Sequence, residues 1–191
     1  MRKIITWAAT TLDGYMEGPG GEGDLGWLMP YVAESVPDSS RLLGEEIDTI
    51  LLGRLTYQGF SQYWPHETGE FADLMNKPPK LVFSGHGALD KATWGSYDNA
   101  TVIDHDVEET LRDLKTEDGK AMVILASGGL VSSLLGTGLI DELRIVVCPV
   151  VLGAGKTYFR DVKDQVGLDL VEVKPFPAGS VLMTYRTRPS S

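Results

Sequence analysis

Ala121-Met122-Val123-Ile124-Leu125-Ala126-Ser127-Gly128-Gly129-Leu130-Val131-Ser132-Ser133-Leu134-Leu135 is the stretch on which the fold turns. It opens on a short, unbroken apolar run with β-branched members, bounded by a Ser-Gly-Gly turn, and such a run reads as a strand. Apolar residues at every position fit a strand buried on both faces, the condition of a parallel sheet covered by helices. The residues after the glycines read as a helix, so the segment is a strand–turn–helix unit. Glycine at such a turn lets the backbone approach a ligand closely, and the amides of a helix start point at anions. The pattern is not the GxGxxG fingerprint, and many strand–helix turns carry glycine only to turn. On this stretch alone, phosphate binding and a bare turn stand level.

The same rhythm runs outward in both directions. Ile4–Ala9, Thr49–Leu52, Lys80–Ser84 and Ala100–Ile103 read as further buried strands. Helices are expected over about Pro30 to Ile47, broken near Pro37 with Asp38 or Ser39 capping a second segment, and over Phe71–Asn76 and Asp106–Lys115. Glu17–Asp24, rich in glycine, is expected to be a mobile surface loop beside a site. Toward the C-terminus, Glu142–Leu152 reads as one long strand. Leu168–Val173 and Val181–Tyr185 alternate more cleanly and are joined through Pro177-Ala178-Gly179-Ser180 as a hairpin. Alternating β and α segments followed by terminal strands predict an α/β domain: a mainly parallel sheet with flanking helices and an antiparallel C-terminal edge.

Length and charge narrow the classes of function. The chain has 191 residues, enough for one domain with a sizeable core, so a single domain over 1–191 is expected. Seventeen basic against 27 acidic residues leave a net charge of −10, which argues against nucleic acid and anionic membrane as partners. A single cysteine, Cys148, cannot form an internal disulfide. The first residues reach Asp13 too soon for a secretory leader, and no run approaches a membrane span, so a cytoplasmic protein is expected.

Two more strand ends carry ligand-type residues. Leu52-Gly53-Arg54-Leu55-Thr56-Tyr57 offers a planar, permanently charged fork and a hydroxyl near a helix start. Ser84 precedes Gly85-His86-Gly87. Three strands thus end in small, polar or basic residues, and the carboxyl ends of parallel strands are where α/β sheets bind ligands.

These pieces resemble the dihydrofolate-reductase-like proteins of the RibD C-terminal type. The resemblance rests on Thr11-Leu12-Asp13-Gly14, on Leu52–Tyr57, on Ser127-Gly128-Gly129, and on Leu139–Leu143 leading into Pro149–Gly155; it spans roughly Lys3 to Arg186. It implies a dihydrofolate-reductase-like sheet, NADPH as cofactor, hydride transfer to a small heterocyclic or carbonyl/imine substrate, and a homodimer. The alternative is a non-catalytic nucleotide-binding or ligand-sensing domain of the same fold. By the resemblance, Gly53, Arg54 and Thr56 would meet the phosphates, and Ser84 would lie near the adenosine ribose and its 2′-phosphate. Gly128 and Gly129, with the amides of Leu130 and Val131, would hold the diphosphate, and the Ala9 backbone would lie beside the nicotinamide. Asp13 matches an aspartate next to the substrate pocket, where it would hold a hydroxyl or help deliver a proton; a plain Asp-Gly turn is the competing reading. Folate reductases carry an acid soon after a Trp-x-x-Pro segment like Trp27–Pro30, whereas here Glu34 comes late. Riboflavin-pathway members usually have lysine where Trp7 stands. Neither dihydrofolate nor a dedicated riboflavin-pathway substrate is therefore expected.

Other features read as structural. Gly155-Lys156-Thr157 resembles the end of a P-loop but follows a β run and lacks the upstream glycine. His66, His86 and His105 lack metal-ligand spacing, so no metal is expected. Cys148 reads as core, and Tyr63-Trp64-Pro65 as aromatic packing.

Overall fold

The computed structural model describes residues 1–85 and 87–188; His86, read above as no metal ligand, and the Pro189-Ser190-Ser191 tail lie outside them. Eight strands form one sheet: β1 (Ile4–Thr11), β3 (Ile47–Gly53), β4 (Lys80–Phe83), β5 (Ala100–Ile103), β6 (Ala121–Leu125), β7 (Glu142–Cys148), β9 (Leu168–Pro175) and β10 (Val181–Thr187). Their order is β5-β4-β3-β6-β1-β7-β10-β9. The first six are mutually parallel, and β10 runs antiparallel between β7 and β9. The expected architecture is the one found. A small antiparallel pair, β2 (Tyr15–Glu17) with β8 (Lys156–Thr157), stands apart from it.

Alternation along the buried strands divides the core between the two faces. In β6, Met122 and Ile124 pack toward α4 (Val107–Thr116) and α5 (Gly128–Leu134), among Leu111, Val131 and Leu134. Val123 and Leu125 point the other way, toward Leu42, Leu43, Tyr57 and Met75. These come from the turn closing α1 (Met29–Arg41), from α2 (Arg54–Tyr63) and from α3 (Glu70–Asn76). Burying a side chain of Leu or Val size contributes about 1.5–3 kcal/mol, so the alternation fixes which face each helix covers. No helix among the described residues is long and apolar enough to cross a membrane.

Two expectations are corrected. The helix over α1 does not break at Pro37 but runs through it. Proline removes one backbone bond, while Ser35 and Ser39, on either side of Pro37, donate their hydroxyls to the carbonyls of Val32 and Val36 within the helix. Asp38, instead of capping, is buried and accepts from Lys174 Nζ of β9 at 2.8 Å. The run Glu142–Leu152 stops as a strand at Cys148, because Pro149 has no amide with which to continue the ladder.

Lys80 is fully buried where β4 begins. Its ammonium donates to the Asn76 carbonyl and lies 4.6 Å from the centre of the Trp94 ring, and no acid pairs with it among the described residues. Burial pulls its pKa down to about 7. The unfolded value is about 10.4, so between these limits the unfolded chain binds more protons and stability rises with pH. We expect urea unfolding to show that rise between pH 7 and pH 9 in the wild type and to lose it in Lys80→Met. Matching pH slopes in the two proteins would count against a depressed Lys80.

Candidate functional site

The site follows from the strand order. Chain order runs β1, β3, β4, β5 outward and then returns, with β6 inserted between β3 and β1. The helix after β3 packs on one face of the sheet, through Tyr57, and the helix after β6 on the other, through Val131 and Leu134. Where neighbouring connections diverge to opposite faces, a crevice opens beyond the strand ends. Register sets its depth: Leu51 lies beside Ile124 and Gly53 beside Phe83, which brings the turns after β3, β4 and β6 together.

Two hydrogen bonds stitch the crevice. The Gly53 amide donates to Ser127 Oγ at 2.9 Å, and the Ser127 amide donates to Thr56 Oγ1 at 3.2 Å. Ala126 and Ser127 are both left-handed, each at φ 48°, a conformation that costs a non-glycine residue about 1 kcal/mol or more. That pair turns the chain sharply from strand into helix. A Cβ on Gly128 would stand 2.7 Å from the Tyr158 carbonyl oxygen, so Gly128 is needed for packing against Tyr158. A Cβ on Gly129 would meet nothing within 4 Å, so that side is open.

The resulting cleft has a volume of about 440 Å³. Of the residues singled out in the sequence, Gly53, Arg54, Thr56, Ser84, Gly128, Gly129 and Leu130 line it. Arg54 opens α2, and no acid pairs with it among the described residues. Val131 is fully buried, and its amide is committed to the Ser127 carbonyl at 3.0 Å, which leaves it no donor for a ligand. Ala9 lies outside the cleft, opposite Val146 in the β1–β7 ladder, beside a cluster that takes in Trp27, Leu28 and Tyr31.

Asp13 also lies outside the cleft. Its carboxylate accepts from the Thr11 hydroxyl at 2.6 Å and from the amides of Leu152 and Gly153 at 3.1 and 2.8 Å. The Thr11 hydrogen bond, aided by those amides, holds its pKa below the usual carboxylate value. It therefore clamps the loop after β7 as an ionised acceptor. The acids of α1 are engaged as well: the Glu34 carboxylate accepts from the Ala178 amide at 2.8 Å in the β9–β10 hairpin, and Asp38 holds Lys174. Cys148 is buried, and burial raises its thiol pKa.

Lys156 and Arg160 line the cleft without having been singled out as ligands. Lys156 was visible only as part of a failed P-loop pattern; its place comes from the β2–β8 pairing, which joins residues about 140 positions apart. The loop expected to be mobile is closed on itself, with the Gly18 amide donating to the Asp24 carbonyl at 2.8 Å and the Gly20 amide to Asp24 Oδ2 at 2.9 Å.

A parallel sheet in this order, with a cleft at the β3/β6 crossing and an antiparallel edge, defines a dihydrofolate-reductase-like α/β domain. Dihydrofolate reductase from Enterococcus faecalis, solved with NADP(H), superposes with a TM-score of 0.65 at 19% identity, over 97% of this chain and 96% of that one. RibD from Acinetobacter baumannii gives 0.71 at 18% identity, over 98% of this chain but only 58% of that longer protein. The chain belongs to the RibD C-terminal domain family, whose pattern matches residues 2–182. At the level of sequence it is 34% identical over 185 residues to the uncharacterized protein YyaP of Bacillus subtilis (strain 168), covering 96% of this chain and 94% of that protein.

Proposed function

We propose that the protein is an NADPH-dependent reductase acting on a small heterocyclic or carbonyl/imine substrate. The observation that carries this reading is the convergence of three strand ends on one cleft, in a chain of the RibD C-terminal family. The residues present fit such a cofactor. The first-turn amides of α2 and α5 lack helical partners, Arg54 pairs with no acid among the described residues, and the open side of Gly129 leaves room for a ligand backbone. In this reading Gly128, Gly129 and Leu130 face the diphosphate, Gly53, Arg54 and Thr56 the phosphates generally, and Ser84 the adenosine ribose with its 2′-phosphate. When bound, the dinucleotide supplies the hydride. The chain positions the two reactants, with Ala9 at the nicotinamide end and the Trp27–Tyr31 wall beside it. Asp13, held ionised, accepts a substrate hydroxyl or only clamps its loop, and the proton comes from solvent. With Glu34 and Asp38 engaged elsewhere, the pocket offers no free carboxylate from α1, which fits a substrate other than a pterin. The exposed Leu170, Val171 and Val173 of β9 are the edge through which a homodimer would form; a monomeric mass by light scattering would remove that part of the proposal.

The test is thermal unfolding with and without NADPH. At 100 times its dissociation constant a ligand of the native state adds about 2.7 kcal/mol, which raises Tm by roughly 5–10 °C for a chain of this size. No shift at millimolar NADPH would overturn the reading. A shift without NADPH oxidation by any carbonyl or imine substrate would favour the non-catalytic alternative.

A further inference from the structure

The cleft does not end at the glycine turn. A second cavity of about 570 Å³ adjoins it, between the glycine-rich loop and β8, and Leu55, Lys156 and Arg160 belong to the walls of both. The two make one trough. Ser84 and Glu108 mark its first half, and Gly21 and Glu22 its second. The middle carries the two cations, with Arg54 beside them in the first half. In a chain of net charge −10, the trough as a whole is balanced, with Arg54, Lys156 and Arg160 set against Glu17, Glu22 and Glu108, and two of its cations stand together where the two cavities meet. Lys156 Nζ donates to Glu17 Oε1 at 2.9 Å. Arg160 meets its neighbour Asp161 only at 3.8 Å and is about half exposed.

The charge of a dinucleotide is distributed in the same way. Its diphosphate sits at mid-length and carries two negative charges, with rings toward either end. We propose that Lys156 and Arg160 bind that diphosphate, Lys156 exchanging Glu17 for a phosphate oxygen, so that the phosphates lie where the two cavities meet. The inference rests on the dinucleotide reading above and adds residues to it that neither the glycine turn nor Arg54 supplies. Of the acids in the trough, Glu22 and Glu108 lie in the outer halves, and Glu17 is the one that competes for Lys156.

Titration calorimetry on the full chain with three probes tests it: NADPH, adenosine 2′-monophosphate, which lacks both phosphates of the bridge, and inorganic pyrophosphate. Lys156→Met with Arg160→Met is expected to weaken NADPH about 10- to 100-fold, the range for losing charge-assisted contacts, and the monophosphate by less than about threefold, as screened charges at a distance would. Glu17→Gln is expected to tighten NADPH by about threefold, because Lys156 is released. Arg160→Met alone carries the test if the double variant fails to fold, since that side chain is half exposed and its one ion pair among the described residues is with exposed Asp161. Equal NADPH affinity in wild type and variant, or equal weakening of all three probes, overturns the assignment while leaving the cofactor reading intact. If the wild type binds no NADPH, the cofactor reading fails by itself. Pyrophosphate bound by the wild type and lost in the variant then still supports a diphosphate site at the junction, and pyrophosphate bound by neither overturns it.

Discussion

Arg54→Ala is expected to weaken NADPH binding about 10- to 100-fold while changing NADH affinity by less than about threefold. The argument is one of charge placement. Arg54 begins α2 at the end of β3 and lines the cleft, and no acid among the described residues neutralises it. A guanidinium in that setting offers two parallel donors to a phosphate, and the 2′-phosphate is the group NADH lacks. Arg54→Lys should fall between, keeping the charge but losing the fork. Raising salt should narrow the gap between wild type and Arg54→Ala, since the contact is at the mouth of a solvent-accessible cleft. The measurement is a pair of fluorescence titrations, one for each nicotinamide cofactor. Equal losses for both would move Arg54 from the 2′-phosphate to a phosphate that the two cofactors share.

Gly155→Ala is expected to lower stability by about 3 kcal/mol, combining overpacking with a strained backbone, and so to lower Tm by roughly 6–12 °C. Gly155 has φ 131°, and a Cβ there would stand 2.2 Å from the Glu17 carbonyl oxygen. Since that neighbour is backbone, the only relief is to part β8 from β2, which also displaces Lys156. NADPH affinity should fall together with Tm. Gly153→Ala is the control: its φ of 71° is also left-handed, but an added Cβ meets nothing within 4 Å. It should cost about 1–2 kcal/mol from backbone conformation alone. If the two variants melt together, the close approach at Glu17 is not what requires glycine at position 155.

What the sequence revealed was set by how locally each feature is encoded. The parallel strands were legible because burial on both faces writes itself as short apolar runs, as in Ala121–Leu125 and Ile50–Leu52. The turns that line the cleft were legible for the same reason, since Gly53, Arg54, Thr56 and the Ser127-Gly128-Gly129 turn follow directly on those runs. Features made by distant partners were not. Pro37 looked like a break because proline usually is one, and the contact of buried Asp38 with Lys174 of β9 is what ties down the second half of α1. Asp13 offered a turn or a substrate ligand, and its grip on Leu152 and Gly153 depends on a loop about 140 residues away. Strands of two or three residues such as β8 and β2 carry no periodicity to read. With them went the placing of Lys156, and with the hydrogen bond from the Val131 amide to the Ser127 carbonyl went the difference between a helix-start donor and a committed one.

The late arrival of β6 between β1 and β3 bears on how the protein is made. When a ribosome has released residues up to about 116, β1 and β3 have both emerged, yet the strand that separates them in the finished sheet has not. Neither the Ser127 hydroxyl for Gly53 nor the second glycine turn then exists. On the reading proposed above, a nucleotide in the surrounding solution meets only the ends of β3 and β4 on the growing polypeptide, and can stabilise the cleft only once its remaining walls have been translated.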